Sequence, residues 1–429
     1  MFASVIKPII LHKFGSLHKK AMSDEGITEC VRLAEALPGI VVKASFTVNL
    51  RKPDPGQLLG DGKVKQLYTF FSEMKISLTI IDGVLTPVQQ RNLERLWGVK
   101  VIDRTALILE IFGARAMSRE GVLQVELAHL NYQKSRLVRS WTHLERQRGG
   151  AGFLGGPGET QIEADKRAIN ARISQIKQAL TKVVRTRNLH RIARKKIPYP
   201  TVALVGYTNA GKSSVFNRLT KGSNIVKDML FATLDPKMNN IQLSKGKKII
   251  VSDTVGFVSN LPTHLVAAFR ATLEEVTTAD LILHVRDVSS TNFEAQGQAV
   301  NAVLKTLGVE IHDRDIIEIW NKVDKLVDCK KQYITLDTGI IDERRVVVSA
   351  TTGKGFEELL TLIETFFKDQ TEQEEIFVPF SESKSRSWLY RNNLVIEEKV
   401  DSSGSNILVE WTKVQKKRFK ADCVYGASN

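Results

Sequence analysis

The chain has 429 residues, with 62 basic and 47 acidic side chains and a formal net charge of +15. At roughly 100–200 residues per domain, this length predicts several domains, and a hydrophobic share of 42% excludes wholesale disorder. Charged residues interrupt every apolar stretch before it reaches roughly 18 residues, which excludes a transmembrane helix. The three cysteines, Cys30, Cys329 and Cys423, lie too far apart for a disulfide framework or a zinc site and indicate a reducing compartment.

The first 22 residues contain four lysines and no acid, because the first acidic residue is Asp24. Such a segment is compatible with a mitochondrial presequence, although it lacks arginine. The alternative is a first strand, because SVIKPIIL is apolar enough to pair in a sheet. The sequence leaves both interpretations of residues 1–22 open.

Residues 23–113 alternate between strand and helix patterns. An apolar strand over Ile40–Val48 precedes the turn-rich stretch RKPDPGQLLGDGK, and a helix follows from about Val64 to Met74. ISLTIID then reads as a strand, TPVQQRNLERLW as a helix and VKVID as a third strand. This order predicts a small parallel α/β domain.

Residues 114–197 carry two apolar stripes at helical spacing, on either side of a loop with six glycines between Gly149 and Gly158. The pattern predicts a long antiparallel helical hairpin with a glycine-rich tip. The stripes are Leu123, Leu127, Leu130, Leu137, Trp141 and Leu144, then Ile162, Ile169, Ile173, Ile176, Leu180 and Val183.

The surplus of positive charge lies in the same segment. Residues 118–197 hold 17 basic and 6 acidic side chains, a net charge of +11. A solvated helix face is the plainer explanation of a charge run, but so one-sided a bias predicts a polyanionic partner. That partner is either a nucleic acid or an anionic membrane surface.

Two further regions follow the proline pair of IPYP, which ends the basic helix. Residues 198–370 alternate again between strand and helix patterns. Residues 371–429 begin with an acidic linker within DQTEQEE and continue with the short runs IFVPF, NLVIEEKV and NILVEWTKV, which predict a small α+β module. The predicted fold class is α/β. The predicted order of parts is a small parallel α/β domain, a long helical hairpin, a P-loop domain and a small C-terminal α+β domain.

The segment TVALVGYTNAGKSS carries the strongest chemical signal. An apolar strand, Thr201–Val205, runs into Gly206-x4-Gly211-Lys212-Ser213, and a helix follows, which is the setting of a phosphate-binding loop. The glycines let successive backbone N–H groups point at phosphate oxygens. Lys212 is predicted to reach the β and γ phosphates, and Ser213 to bind Mg²⁺.

Three more segments predict which nucleotide is bound. Asp253 and Gly256 end a strand, where the carboxylate can hold Mg²⁺ through water and the Gly256 N–H can sense the γ-phosphate. In the segment NKVD, the Asp324 carboxylate can accept two hydrogens from guanine N1 and N2, which adenine does not offer. Ser349 and Ala350 end another strand, and the Ala350 N–H can meet guanine O6. Ligands of open α/β sheets bind at these strand ends, so the four motifs predict GTP.

Two residues bear on hydrolysis. Thr233, in LFATLD, lies in a loop after Ser213 and is the candidate switch threonine that binds Mg²⁺ when the γ-phosphate is present. Phe257 follows Gly256 at a place where many GTPases have a glutamine that orients the attacking water. We therefore predict slow intrinsic hydrolysis, with Lys212, Thr233 and Gly256 as catalytic groups.

Together with RKPDPGQLLGDGKVKQL, GGPGETQIEADKR and DTVGFVSNLPTHLVAAFRATLEEV, these motifs make the chain resemble the HflX-type ribosome-associated GTPases, in particular their eukaryotic organellar branch. The match runs from about residue 38 to the end. The resemblance implies the domains 23–113, 114–197, 198–370 and 371–429, binding to the large ribosomal subunit and its rRNA, and splitting or rescue of ribosomes. It also implies ribosome-stimulated hydrolysis, a monomer without stable membrane insertion, and a mitochondrial location, with a cytoplasmic one as the alternative.

The resemblance also implies contact residues at the positions that match the motifs. The nucleotide contacts are Gly206, Tyr207, Thr208, Asn209, Ala210, Gly211, Lys212, Ser213, Ser214, Phe231, Ala232, Thr233, Leu234, Asp235, Asp253, Thr254, Val255, Gly256, Asn321, Lys322, Val323, Asp324, Ser349, Ala350 and Thr351. The contacts to RNA, at the tip and along the basic helix, are Arg148, Gly149, Gly150, Gly155, Gly156, Gly158, Arg185, Arg187, Arg191 and Arg194.

Two other functions compete with ribosome splitting. The same switch could hold an immature large subunit and leave when GTP is hydrolysed, as an assembly GTPase. It could also act in membrane or protein signalling, with the basic segment on acidic lipid or an effector. The two hairpin stripes face each other and do not form a wide apolar face with aromatics, which argues against lipid insertion.

Overall fold

The structure is a computed structural model, and it describes the backbone alone at residues 10, 19–25, 138–140, 157–162, 187–195, 340–342, 369, 371 and 412. It describes residues 1–10, 19–140, 157–195, 199–222, 231, 237–243, 248–258, 275–309, 316–326, 340–342, 344–369, 371–392, 394–412, 416 and 419.

The N-terminal domain is built on a parallel sheet of four strands. They are β1 (Phe2–Ile10), β2 (Val41–Leu50), β3 (Leu78–Ile81) and β4 (Lys100–Asp103), and they lie in the order β2-β1-β3-β4. Residues 2–10, which the sequence assigned to either a strand or a targeting segment, therefore form an interior strand. Its residues from Ala3 to Ile6 are completely buried because the sheet is covered on both faces.

Four helices cover this sheet: α1 (Lys19–Glu35), α2 (Asp61–Glu73), α3 (Pro87–Trp97) and α4 (Arg104–Arg115). Local sequence determines the limits of α3. A capping box between Thr86 and Gln89 begins it, and Gly98, with φ of 68°, ends it in the left-handed conformation that glycine adopts freely. Neither α1 nor α4 was predicted from the sequence, although the strand that precedes α4 and the strand that follows α1 were.

The hairpin consists of α5 (Arg119–Ser140) and α6 (Pro157–Lys195), which pack against each other. The predicted stripe on α6 is present, with Ile173 and Ile176 buried. On α5, however, the described leucines of the predicted stripe are only half-buried, and the buried apolar side chains are Val125 and Ala128, which pack against the N-terminal domain. The helix has two covered faces, so a single stripe could not predict its packing. The side chains of Trp141, Leu144 and Ile162, which also belong to the predicted stripes, lie outside the described part of the chain.

A buried carboxylate joins α5 to the N-terminal domain. Asp103, which is fully buried, caps α4 by accepting from Ala106 N at 2.8 Å. The same side chain accepts from the Tyr132 hydroxyl at 2.8 Å and from Arg136 Nη2 at 2.5 Å, both on α5. Burial and the neighbouring carboxylate raise the pKa of Tyr132, so the phenol stays a donor. The first part of the hairpin is thereby attached to the sheet edge.

The predicted P-loop domain, called the G domain from here on, has a sheet of seven strands. They are β5 (Thr201–Gly206), β6 (Lys237–Gln242), β7 (Lys248–Asp253), β8 (Leu281–Asp287), β9 (Ile316–Asn321), β10 (Ile340–Asp342) and β11 (Arg345–Val347). They lie in the order β10-β11-β9-β8-β5-β7-β6 and are parallel except for β6 and β10. The described helices of this domain include α7 (Lys212–Thr220), α8 (Phe293–Thr306) and α9 (Phe356–Asp369). This arrangement brings the carboxyl ends of β5, β7, β8 and β9 to one edge.

The C-terminal module is an antiparallel sheet in the order β12-β14-β13, with α10 (Ser383–Arg391) on one face. Its strands are β12 (Thr371–Pro379), β13 (Val395–Val400) and β14 (Gly404–Thr412). The predicted acidic linker was wrong for residues 371–375, because they pair with β14 as the first half of β12. An edge strand with one solvated face accommodates such alternating glutamates.

The N-terminal and G domains share one hydrophobic cluster, which includes Ile111, Val205 and Val255. Within it the rings of Phe112 and Phe231 meet edge to face, with centroids 4.7 Å apart. Phe231 has φ of 55°, a left-handed conformation that is costly for a side chain of this size and is held by the packing. Among the helices of the described ranges, none is long and apolar enough to cross a membrane.

We expect Asp103→Asn to destabilise the protein by about 2–3 kcal/mol, because the half-buried Arg136 guanidinium loses the charge that compensates it. Urea unfolding of the full chain measures this loss. The matched control is Glu73→Gln, which removes one negative charge from an exposed helix end. Equal stability of the two variants would contradict a structural role for the Asp103 contacts.

Candidate guanine-nucleotide site

The loop between β5 and α7 depends on residues that lack a side chain. A Cβ at Gly206 would lie 2.2 Å from the Val285 carbonyl oxygen, and one at Gly211 would lie 2.2 Å from Asn321 Nδ2. Gly211 has φ of 93° and Asn209 has φ of 61°, so the chain turns through left-handed conformations before α7 begins. The predicted strand, loop and helix are thus present in the order that a phosphate-binding loop requires.

Lys212 lies inside this loop. Its side chain is almost fully buried, and Nζ donates to the carbonyl oxygens of Gly206 at 3.1 Å and Tyr207 at 2.9 Å. Burial lowers the pKa of Lys212 to about 8, with the nearby Asp253 carboxylate opposing that change. The loop itself therefore holds the ammonium group where phosphate oxygens could replace the carbonyls.

Two of the three predicted metal-binding residues lie together. Ser213 Oγ donates to Asp253 Oδ2 at 2.7 Å, and Asp253 is fully buried at the end of β7. A hydroxyl and a carboxylate are oxygen donors of the kind that Mg²⁺ prefers, so this pair could hold the ion. Thr233, the third predicted residue, lies outside the described residues, together with Ala232, Leu234 and Asp235.

The second motif is fixed against the phosphate loop by its backbone. Thr254 is buried, and its hydroxyl donates to the Leu204 carbonyl oxygen at 2.5 Å. A Cβ at Gly256 would lie 2.9 Å from Thr208 Cγ2 and 3.0 Å from Lys212 Nζ, so only glycine fits without displacing them. This position brings the Gly256 backbone close to Lys212, and contact of its N–H with the γ-phosphate stays a prediction.

The residues predicted to read the base meet at the end of β9. Asn321 Nδ2 donates to the Ala210 carbonyl oxygen at 2.9 Å, and Asn321 Oδ1 accepts from Ala350 N at 3.0 Å. The Ser349 hydroxyl donates to Asp324 Oδ1 at 2.6 Å, which orients an exposed carboxylate. A fixed carboxylate facing solvent is suited to the paired donors of a guanine edge.

Three side chains near this site were not predicted from the sequence. Asp287, the last residue of β8, accepts from Lys322 Nζ at 2.7 Å and thus positions the lysine of NKVD. A carboxylate two residues after the apolar run LILHV was the available signal. Glu29, on α1, accepts from the Tyr207 hydroxyl at 2.6 Å, a contact between domains that no local pattern could predict. His284, in β8, is buried beneath the loop.

The residues predicted to contact RNA are only partly described. Arg185 is exposed on α6, and Gly158 belongs to the first turn of that helix. Arg187, Arg191 and Arg194 belong to the described backbone of α6 without described side chains. The tip residues Arg148, Gly149, Gly150, Gly155 and Gly156 lie outside the described residues.

We expect Asp324→Asn to weaken GTP binding on the order of 100-fold and to favour xanthosine triphosphate, whose O2 accepts from the new amide. Competition binding with both nucleotides measures the change. Asp401→Asn, at an exposed position of the C-terminal module, is the control. Unaltered guanine preference would mean that another group reads the base.

We expect the pH dependence of stability to include His284. Its pKa is lowered to about 4, first by burial and then by Arg286 and Lys212, against the opposing charge of Glu318. Between about pH 6.5 and 4 the unfolded chain binds a proton that the folded state rejects, so stability falls as the pH falls, by at most about 1.4 kcal/mol per unit. Urea unfolding near pH 7 and pH 5 should give a shallower decline for His284→Gln, and parallel declines would contradict the assignment.

Three family models match consecutive parts of the chain. They are the GTP-binding GTPase N-terminal region over residues 24–113, the GTP-binding GTPase middle region over residues 115–194, and the 50S ribosome-binding GTPase over residues 201–322. These limits agree with the N-terminal domain, the hairpin and most of the G domain.

Curated relatives match over most of their length. GTPase HflX of Magnetococcus marinus is 46% identical over 387 residues, which cover 89% of this chain and 88% of the relative. GTPase HflX of Escherichia coli K12 is 40% identical, with 88% and 89% covered. A chloroplastic GTP-binding protein of Arabidopsis thaliana is 40% identical, with 71% and 54% covered. By these matches the chain belongs to the HflX GTPase family and is a GTP hydrolase.

Proposed function

We propose that this GTPase binds the large ribosomal subunit through its basic hairpin and splits or rescues ribosomes. The observation that carries the proposal is the exposed basic surface of α6. Its described exposed residues include Lys166, Arg167, Arg172, Lys177, Lys182 and Arg185, against the exposed acids Glu163 and Asp165. Such a surface suits rRNA, whose phosphates attract Lys and Arg without regard to base sequence.

A second observation supports coupling between this surface and the nucleotide. Phe231, two residues before the predicted switch threonine Thr233, packs on Phe112 of the N-terminal domain. Tyr207 of the phosphate loop bonds Glu29 of the same domain. Because Asp103 attaches α5 to that domain, a change in the switch loop would act on the hairpin through packed elements.

For the chemistry, we infer that Ser213, Thr233 and Asp253, the last through water, hold Mg²⁺, which neutralises phosphate charge when bound. Lys212 and the Gly256 N–H then contact the γ-phosphoryl group as it leaves as phosphate. Phe257 supplies no polar group for the attacking water, so basal turnover is expected to be slow. The ribosome is expected to accelerate it.

The two alternative functions predict different binding partners. An assembly GTPase would bind immature large subunits and leave mature ribosomes whole. A membrane or protein switch would bind acidic vesicles or an effector and ignore ribosomes. We expect a monomer. The mitochondrial location stays part of the proposal on the resemblance alone, because residues 2–10 belong to the N-terminal sheet, and the cytoplasm is its alternative.

GTP hydrolysis by the purified protein is the first test. Alone, we expect roughly 10⁻² s⁻¹ or slower, the range of GTPases that act without a stimulating partner. Large subunits should stimulate it, and comparing mitochondrial with cytosolic subunits assigns the compartment. A fast rate without a partner, or no stimulation by either kind of subunit, would contradict the proposal.

Sucrose-gradient sedimentation tests splitting itself. Whole ribosomes incubated with the protein and GTP should release free subunits, whereas an assembly factor would leave them intact. Vesicles with acidic lipid, floated with the protein, are the control for the membrane alternative. Flotation without ribosome binding would favour signalling.

We expect replacement of Arg185, Arg187, Arg191 and Arg194 by glutamine to weaken binding to the large subunit and to leave GTP affinity intact. If each arginine meets one phosphate, the dependence of log K on log salt should flatten by about three units. The matched control replaces four exposed lysines outside the hairpin, namely Lys305, Lys368, Lys384 and Lys399. An unchanged salt slope would mean that α6 is a solvated spacer.

A further inference from the structure

The carboxyl end of β8 lies between the two halves of the proposed nucleotide site. The residues predicted to read the base follow β9, the phosphate loop follows β5, and β8 lies between these strands in the sheet. Because neighbouring strands are about 4.8 Å apart, β9 and β5 are separated by about 10 Å. A nucleotide with its base at β9 and its phosphates at β5 therefore passes over the residues that end β8.

Asp287, the last residue of β8, is held at both carboxylate oxygens. Oδ1 accepts from Ser289 N at 3.0 Å and from Ser289 Oγ at 2.5 Å. Oδ2 accepts from Lys322 Nζ at 2.7 Å, and each side chain of this ion pair is only 16% exposed. Because Ser289 fixes one oxygen, the other oxygen holds the ammonium group in a defined place.

The backbone joins the same two segments. Val288 N donates to the Asn321 carbonyl oxygen at 3.1 Å. Lys322 has φ of 66°, a left-handed conformation that is uncommon for a residue with a side chain. The turn that begins with Lys322 leads to Asp324, the carboxylate that Ser349 orients. The segment after β8 thus supports the turn from which the base is predicted to be read.

The Lys322 side chain extends across the path of the nucleotide. Its four-carbon stem begins at the turn after β9 and ends at Asp287, at the end of β8. The pKa of Lys212 is lowered mainly by burial, against the opposing charge of Asp253, and in the same direction by the charge of Lys322. The two ammonium groups are therefore near each other, and the stem lies toward the phosphate loop. Such a stem can cover an apolar ring while its charged end stays with a counter-ion.

We propose that Asp287 is a positioning residue for nucleotide binding, which holds the Lys322 stem as one wall of the space that receives the guanine base. The proposal rests on the assignment of Asp324 as the residue that reads guanine. Without Asp287 the lysine would sample many rotamers, and nucleotide binding would have to order it. A side chain that is already ordered removes that cost from binding.

The charge of Asp287 has the opposite effect on affinity. A carboxylate near the phosphates repels them, so its removal on this ground alone would strengthen binding, and more for GTP than for GDP. Lys322 neutralises the carboxylate in place, which keeps this repulsion small. Holding the lysine acts instead on the nucleoside, which GTP and GDP share. Loss of that function weakens both nucleotides by the same factor, so the two effects differ in sign and in pattern.

The test is Asp287→Asn in the full chain, which keeps the size of the side chain and removes the charge that holds the ammonium. Competition against a fluorescent GDP analogue gives the affinities for GTP and GDP. We expect both to fall on the order of tenfold and by the same factor. Release of GDP should accelerate, because most changes in affinity appear in the dissociation rate. Single-turnover hydrolysis at saturating GTP should stay within about twofold of wild type, since uniform binding is lost.

A second pair of variants separates positioning from a general structural role. Lys322→Met keeps an unbranched stem and has no ammonium group to hold. In that background, Asp287→Asn should change the affinities by less than about twofold. Glu294→Gln is the matched control, because it removes a negative charge and an ion pair with Arg286 from the first turn of α8. It should bind both nucleotides as wild type does.

Ser289→Ala tests the same arrangement if Asp287→Asn does not fold. It removes one of the two Ser289 contacts to Asp287 Oδ1 and should weaken GTP and GDP in the same direction, by a smaller factor. Unchanged affinities in that variant would contradict the proposal.

Three results with Asp287→Asn would overturn the proposal. The first is unchanged or stronger binding, which would mean that the charge acts only on the phosphates. The second is a loss that differs between GTP and GDP. The third is the same loss in the Lys322→Met background, because Asp287 would then act without the lysine. Wild-type protein that does not prefer GTP over ATP would contradict the assignment of Asp324 and this proposal together, whereas preserved preference with any of the three results contradicts this proposal alone.

Discussion

The nucleotide site depends on the buried amide of Asn321. One end of this side chain bonds the phosphate loop at Ala210, and the other receives the N–H of Ala350 beyond the neighbouring strand. The amide thereby fixes the distance between the predicted phosphate-binding loop and the residues predicted to read the base. Gly211 follows from this constraint, because any side chain there would collide with the amide. Three segments that are far apart in sequence thus specify one rigid geometry.

Most of this site could be predicted because its chemistry is local. Each motif follows an apolar strand, and parallel strands bring their carboxyl ends to one edge. Asp287 also obeys this rule and could have been found. Contacts between residues far apart in the sequence could not be predicted. The contacts of Asp103 with α5 and the Tyr207–Glu29 hydrogen bond connect residues that no repeating pattern in the sequence relates.

The errors in the fold have related causes. Burial of Val125 and Ala128 was not predicted, because α5 is covered on two sides and a single hydrophobic stripe predicts only one buried face. The acidic residues of β12 suggested a linker because closely spaced acidic residues are also typical of exposed, charged linkers. In both places tertiary contacts outweighed local pattern. The central position of β1 could not be read either, because strand order in a parallel sheet is set by crossovers and not by the strand's own residues.

The length of helix α6 determines how far one of its ends moves when the helix rotates about the other. Its 39 residues span about 58 Å, and its last residue lies shortly before β5, the strand that carries the phosphate loop. A rotation of roughly 5° about that end would displace the other end by about 5 Å, as follows from the same length. A small rotation at that end would thus become, at Pro157, a displacement comparable with the spacing of neighbouring phosphates along an RNA strand.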